Sequence, residues 1–239
     1  MLKRRSLMQA LVMAAVGSAA PATRLWAETG GRRLPWRNWS GSQQCLPEAR
    51  VAPATVAELQ ELIAANSGTI RPVGAGHSFT PLVPTDGTLV SLARLSGLVE
   101  HDPATLEATL WAGTRLGDAG KPLEDVGQAL VNMPDIDEQA LGGCLATGTH
   151  GTGSRIGCMS TFVAGLQLVD GRGELRECSA EREPALFNAS LVSLGATGVS
   201  TQVRLRNSAP YRLRRETTWR EFDEIMETAE GLAVKHRTF

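Results

Sequence analysis

Two short clusters bring glycine, hydroxyl and imidazole groups together. The first is Val73-Gly74-Ala75-Gly76-His77-Ser78-Phe79, and the second is Thr147-Gly148-Thr149-His150-Gly151-Thr152-Gly153, shortly after Gly142-Gly143. Glycine takes φ > 0 at little cost and lets a ligand approach the backbone closely. Successive N–H groups in such a loop form a concavity suited to an anion, and Ser78, Thr147 and Thr149 add hydroxyl donors. An imidazole at the edge of such a cradle can be a nucleophile or a ligand, depending on what its other ring nitrogen bonds. Taken alone, the first cluster reads equally well as a surface turn with an incidental histidine.

Several familiar chemistries are excluded by pattern. Phe79 occupies the place of the third glycine of a dinucleotide fingerprint, and neither cluster has the spacing of a mononucleotide P-loop. There is no GxSxG elbow and no HExxH pair. No Asp or His at helical spacing supports His77 or His150 as metal ligands, so no metal is expected. The formal net charge of −1 offers nothing to neutralise a phosphate backbone, so nucleic-acid binding is not expected. Two Gly-rich loops, each beside a short helix and strand, would suit a long ligand with a pyrophosphate in its middle, and point to a nucleotide cofactor held without a Rossmann loop.

The elements that must position these clusters alternate between helix and strand. Thr55-Val56-Ala57-Glu58 is a capping box, followed by an apolar face at Val56, Leu59, Leu62 and Ile63 and a stop at Asn66-Ser67-Gly68. Residues 69–73 then read as the strand that feeds the first cluster, and 89–92 as the next strand. Residues 106–111 alternate apolar and polar, as a half-buried strand does. A helix opens after Gly113-Thr114, and Pro122 is expected to kink or divide it. Another helix is expected from Asp137 to Leu141, leading into Gly142-Gly143. Strands at 163–169 and 174–178 flank the turn Asp170-Gly171-Arg172-Gly173 as a hairpin. A helix at 185–191 and an alternating strand at 199–205 complete the series, giving an α+β or α/β chain.

The ends carry separate messages. Lys3-Arg4-Arg5, an apolar run at 7–16, and small residues up to Ala20, Ala22 and Ala27 form a secretory pattern too short to span a membrane. Its paired arginines resemble a twin-arginine signal. Residues 1–27 are therefore expected to direct export to the periplasm or beyond, with no membrane span left after removal; a membrane-anchored N-terminus is the alternative. Cys45, Cys144, Cys158 and Cys178 contain no CxxC pair, so a zinc site is not expected. Export would permit disulfides, but the expectation is buried free thiols. At the other end, residues 222–232 carry a helical pattern. The stretch from Val234 to Phe239 reads as a strand just starting, so more sequence is expected beyond Phe239.

The motifs at 73–79, Asp135-Ile136-Asp137, Gly142-Gly143 and 147–153 together resemble the FAD-binding domain of the vanillyl-alcohol-oxidase-type (PCMH-type) flavoproteins. Within these the pattern is similar to the sugar-lactone and alditol oxidases, including the gulonolactone and arabinonolactone oxidase group. The resemblance implies an α+β, two-lobed FAD-binding domain at 47–207, preceded by an extension at 28–46. It implies that 208–239 begin a substrate (cap) domain that is largely missing, so the catalytic residues are expected beyond Phe239. FAD is the implied cofactor. Val73, Gly74, Ala75, Gly76, His77 and Ser78 would wrap its pyrophosphate, with His77 joined covalently to the flavin 8α-methyl group. Asp135, Ile136, Asp137, Gly142 and Gly143 would lie along it. Thr147, Gly148, Thr149, His150 and Gly151 would approach the isoalloxazine and phosphates, and Val199 would meet the adenine end through its backbone. Cys144 does not sit where a second, cysteinyl flavin link is found in this family. The implied reaction is oxidation of a CH–OH group of a sugar lactone or polyol, with O2 or another acceptor reoxidising the flavin. The alternative is an FAD-binding module or inactive remnant without its substrate domain.

Overall fold

Residues 33–238 of a computed structural model are described below. Two expectations fall outside the described residues: the signal-like segment at 1–27, and Phe239, beyond which the catalytic residues are expected. The described chain opens with a small antiparallel pair, β1 (Trp36–Arg37) and β2 (Gln44–Cys45). Then follow β3 (Ala49–Val51), α1 (Val56–Ala65), β4 (Ile70–Val73) and β5 (Thr88–Ser91). The Thr55 hydroxyl accepts the Glu58 N–H at 3.1 Å, and the Glu58 carboxylate accepts the Ala54 N–H at 2.8 Å. Donors at the start of α1 are thus satisfied as the sequence predicts. Leu59 and Ile63 carry the buried face of α1.

β3, β5 and β4 form a parallel three-stranded sheet in that order. Parallel neighbours cannot be joined by a tight hairpin, because the chain must return along the length of the strand before re-entering the sheet. Between β4 and β5 that return is made by residues 74–87, and the first glycine cluster is its opening stretch. The topology therefore places the cluster at the C-terminal end of a parallel strand.

The remaining elements are β6 (Leu98–Asp102), β7 (Glu107–Trp111), α2 (Leu116–Asp125), α3 (Leu141–Ala146), β8 (Val163–Val169), β9 (Leu175–Ser179), α4 (Pro184–Ser190), β10 (Val199–Arg206) and α5 (Phe222–Lys235). The strands form a five-stranded antiparallel sheet in the order β6-β7-β10-β8-β9. One apolar core joins the two larger sheets and includes Leu59, Val90, Leu110, Leu168 and Val203. Burying each leucine stabilises the fold by roughly 1.5–3 kcal/mol relative to leaving it exposed. The architecture is α+β. No helix among the described residues is long and apolar enough to cross a membrane.

Some local expectations are corrected. The stretch before Leu141 is not helical. It runs extended against the start of α2, where Asp137 and Gln139 carbonyls accept the N–H groups of Gly117 (2.9 Å) and Leu116 (3.0 Å). Gly142 and Gly143 lie inside α3 instead of ending a helix. Pro122 sits within a single α2 and does not divide it. The Asp118 carbonyl that loses a partner belongs to an exposed residue, so water can replace the lost N–H. β7 does not alternate: Ala108, Thr109 and Leu110 are all buried. Thr109 is opposite Arg204 and Glu100 in the ladder, and long charged side chains there cover the outer face. Toward Phe239, α5 continues through Lys235 where a strand start was expected, with the His236 N–H still bonded to the Leu232 carbonyl. Each residue added to an existing helix gains a bond, which outweighs the strand preference of Val234.

Candidate functional site

A cavity of about 380 Å³ opens where the two larger sheets meet, within the size range of small-molecule sites, roughly 300–1,000 Å³. Its wall is built from chain segments that end or begin regular elements. The C-terminal ends of β4 and β5 contribute Val73 and residues 74–78 on one side and Ser91, Leu92 and Ala93 on the other. Ligands in open α/β sheets lie beyond the carboxyl ends of the strands, and this small parallel sheet follows that rule. The β7–α2 junction adds Ala112, Gly113 and Arg115, α3 adds Gly142, Gly143 and Ala146, and the approach to β10 adds Gly195, Gly198 and Val199.

Small residues let these segments touch. A Cβ on Gly74 would lie 3.2 Å from Ala140 Cβ and 3.7 Å from the Gly143 Cα, and one on Gly142 would lie 3.1 Å from Ala112 Cβ. α3 therefore packs its glycines against the β4 exit and the β7 exit at once. At Gly113 an added Cβ would fall 1.9 Å from the Leu92 carbonyl oxygen, a position no side chain can take. Gly76 has φ +74°, the left-handed region that favours glycine.

The polar groups of the wall have a consistent sign. Among the described residues, the backbone N–H groups of Gly74, Ala75, Gly76, His77, Ser78 and Gly143 have no hydrogen-bond acceptor. Among the described residues, those that line the cavity include Arg71 and Arg115 and no aspartate or glutamate. Arg115 is held at the rim by the Glu138 backbone carbonyl (2.7 Å) and carboxylate (3.0 Å). Successive free N–H groups facing one cavity are available to an anion that accepts from them. The wall suits an anion.

The loop at 74–78 is also gripped from the N-terminal side. The Trp39 N–H donates to the Gly76 carbonyl at 2.8 Å, and Asn38 Nδ2 donates to the Ser78 carbonyl at 3.0 Å. The Trp39 indole stacks on the His77 imidazole with centroids 5.0 Å apart and planes 21° from parallel. Trp36 is buried and lines the cavity.

The sequence-predicted residues divide into two groups. Val73, Gly74, Ala75, Gly76, His77, Ser78, Gly142, Gly143, Thr147 and Val199 line the cavity. Asp135, Ile136, Asp137, Gly148, Thr149, His150 and Gly151 do not. Asp135, Ile136 and Asp137 are off the wall because the extended stretch there is held against α2, and the Asp137 carboxylate lies beside Gly117. Thr149 stands one bond behind the wall, its hydroxyl donating at 2.9 Å to Gln139, which lines the cavity. His150 is exposed, with Nδ1–H donating to the Gly151 carbonyl at 2.8 Å. Sequence reading missed Trp36, Arg115, Gln139 and the wall around Leu194. Gly195-Ala196-Thr197-Gly198 was the available signal for the last of these; Trp36 had none. All four cysteines are free, Cys144 and Cys178 buried, Cys45 and Cys158 half-buried. Burial pushes the Cys144 thiol up to about 12, and its Sγ–H donates to the Leu141 carbonyl at 3.1 Å.

Residues 47–179, more than half of the chain, match the family model described as FAD binding domain. The chain belongs to the FAD-binding domain family. Its relatives include an L-gulono-1,4-lactone dehydrogenase of Mycobacterium tuberculosis, 37% identical over 80% of this chain and 45% of the relative. A D-arabinono-1,4-lactone oxidase of Candida glabrata is 30% identical over 85% of this chain and 40% of its own length. An L-gulonolactone oxidase of Bos taurus is 28% identical, covering 88% of this chain and 48% of the relative. The chain thus spans less than half the length of these relatives. The cavity of this FAD-binding domain suits a pyrophosphate in charge: free N–H groups and Arg71 face it, Arg115 stands at the rim paired with Glu138, and no carboxylate is among the described lining residues.

Proposed function

We propose that this chain is the FAD-binding part of an oxidoreductase acting on CH–OH groups of a sugar lactone or polyol, with electrons passed to O2 or another acceptor. The observation that carries the proposal is the carboxylate-free wall in which consecutive N–H groups at 74–78 lack an acceptor. The relatives' names, lactone dehydrogenase and lactone oxidase, supply the substrate class. Bound in this cavity, FAD supplies a two-electron acceptor for the C–H of an alcohol carbon. The chain's own residues bind and orient it. The amides of 74–78 and Gly143 hold the pyrophosphate, Arg115 adds charge at the rim, and the backbone near Val199 takes the adenine end. His77 forms the covalent bond to the 8α-methyl group. The test is to load the purified protein with FAD, denature it in acid and look for flavin fluorescence on the polypeptide. Wild type is expected to keep its flavin and His77→Ala to release it. Equal release from both proteins would remove the covalent link.

A second reading, a binding module without turnover, is favoured by one feature. Among the described residues, the cavity wall offers no side chain apart from His77 with a basic lone pair or carboxylate to take a hydroxyl proton. In the first reading that group comes from outside the described wall. Anaerobic addition of L-gulono- or D-arabinono-1,4-lactone to the FAD-loaded protein tests the module reading: bleaching of the oxidised flavin would overturn it. Residues 1–27 direct export in this proposal, through paired Arg4 and Arg5. Replacing both with lysine is expected to leave the protein in the cytoplasm, and unchanged export would count against the twin-arginine route.

A further inference from the structure

The turn between β1 and β2 precedes the stretch that matches the family model, 47–179, yet it is fastened to the glycine loop around His77. The Trp39 N–H and Asn38 Nδ2 hold the carbonyls of Gly76 and Ser78, the residues on either side of His77. No cis peptide bond is present among the described residues. In a planar trans peptide the C=O of one residue and the N–H of the next point in opposite directions. Fixing the Gly76 carbonyl toward the turn therefore sends the His77 N–H away from it. Asn38 is itself buried and locked: its Oδ1 accepts the Gln43 N–H at 3.0 Å, and Nδ2 reaches Ser40 and Ser42 at 3.2 Å. Trp36 supports the other side of the loop, since a Cβ on Gly76 would meet its ring at 3.4 Å.

The indole of Trp39 then covers one face of the imidazole. The ring torsion of histidine is broad and roughly two-fold, so an unsupported ring samples many orientations. Stacking restricts that torsion through the ring face and leaves both nitrogens, whose lone pair or N–H lies in the ring plane, uncovered by the indole. Trp39 itself is 68% exposed and does not line the cavity. Its side chain has little part in the core and does not touch the space the cofactor would take.

We propose that Trp39 is a positioning residue that holds the His77 imidazole in the orientation needed for flavin attachment. The proposal rests on the reading of His77 as the attachment residue. Attachment replaces the imidazole N–H and one C–H of the 8α-methyl group with an N–C bond. The two hydrogens, as two protons and two electrons, end on dioxygen as hydrogen peroxide, so the bound flavin finishes oxidised.

The experiment follows attachment over time in the full chain incubated with FAD in air, for wild type, Trp39→Ala and Trp39→Phe. Acid-stable flavin fluorescence on the polypeptide is the first readout, and the Kd for FAD in the His77→Ala background, where no bond can form, is the second. Loss of a held orientation is expected to slow attachment in Trp39→Ala by about tenfold or more. Trp39→Phe, which keeps a flat ring, is expected to recover most of the rate. The Kd is expected to stay within about twofold across the Trp39 variants, the range of an ordinary surface change. Imidazole proton resonances of His77 in the FAD-free protein should move downfield when the indole is removed, and this readout needs no cofactor. Attachment in Trp39→Ala at the wild-type rate would overturn the proposal while leaving the His77 link intact. A Kd weakened in parallel with the rate would also overturn it, since Trp39 would then act on binding. A wild type that releases all its flavin overturns the attachment reading itself and the proposal with it, an outcome visible in the wild-type lane alone.

Discussion

The two glycine-and-histidine clusters look alike as text and are used differently in space. At 74–78 the chain leaves a parallel strand, lines the cavity and keeps its N–H groups free among the described residues. At 151–153 the glycines are spent on packing. A Cβ on Gly151 would fall 2.2 Å from the Met133 carbonyl oxygen and 2.4 Å from Asn132 Oδ1, and one on Gly153 would fall 2.4 Å from the Arg237 carbonyl oxygen. His77 is half-buried under an indole, whereas His150 is exposed and bonded to its neighbour's carbonyl. A glycine-rich motif signals close approach of something. Whether that something is a ligand or the protein's own backbone is decided by what the fold brings to it.

Substitutions can break or sharpen this contrast. The largest effect is expected from Gly151→Ala, because a backbone carbonyl must move to admit the methyl group. A loss of about 3 kcal/mol, the upper part of the overpacking range, should appear as a lowered urea midpoint. Unchanged stability would mean that the second cluster is not a packing device. Gly74→Ala meets only a 3.2 Å contact with Ala140 Cβ, so its stability cost should be nearer ~1 kcal/mol. Its main effect is expected on FAD, with Kd raised roughly tenfold, about 1.4 kcal/mol, in a fluorescence-quenching titration. An opposite ranking of the two glycines on these two readouts would reverse the assignment of roles. His150→Ala should shift the FAD Kd by no more than about twofold, as expected of an exposed side chain off the wall; a tenfold change would place His150 in the site after all.

A separate baseline comes from a glycine turn that touches neither cluster. Burial pushes the Asp170 carboxyl up, but the N–H groups of Arg172 and Glu174 and the Arg176 guanidinium outweigh this and hold it below the ordinary 3.8. A lowered folded-state value contributes stability that is fully present above 3.8 and is lost as pH falls through the lower value. Asp170→Asn should therefore cost less than about 1 kcal/mol at neutral pH. Denaturation curves at stepped pH should show the two proteins converging below about pH 4. A deficit that persists in acid would assign the loss to shape instead of charge.

Much of the scaffold was legible because its signals are local. The capping box at Thr55 and Glu58, the Asp170-Gly171-Arg172-Gly173 hairpin and the alternation of β10 depend on residues a few positions apart, and each forms as expected. The first cluster was ambiguous by itself and gained a reading only alongside the motifs at 135–137, 142–143 and 147–153. Failures cluster where distant backbone decides. Residues 137–140 carry helix-compatible side chains, but the Asp137 and Gln139 carbonyls are taken by the start of α2. Gly142 and Gly143 read as a helix stop, yet they are needed inside a helix so that it can approach Gly74 and Ala112. The grip of Trp39 and Asn38 on the loop around His77 leaves no pattern in the sequence, because it links residues 38 and 78 through backbone carbonyls.

The strand order β6-β7-β10-β8-β9 has a bearing on how the protein is made. β10 is the last of the described strands along the chain and the middle one in its sheet, paired on both sides. Until residue 206 leaves the ribosome, the nascent chain holds two separate hairpins, each with an open inner edge that can recruit a foreign strand. Insertion of β10 closes both edges in one event. The side of the cavity that approaches β10, at Gly195, Gly198 and Val199, takes shape in the same step. The cavity is therefore completed only once β10 has been made, and a chain stopped before Val199 would leave both inner edges open.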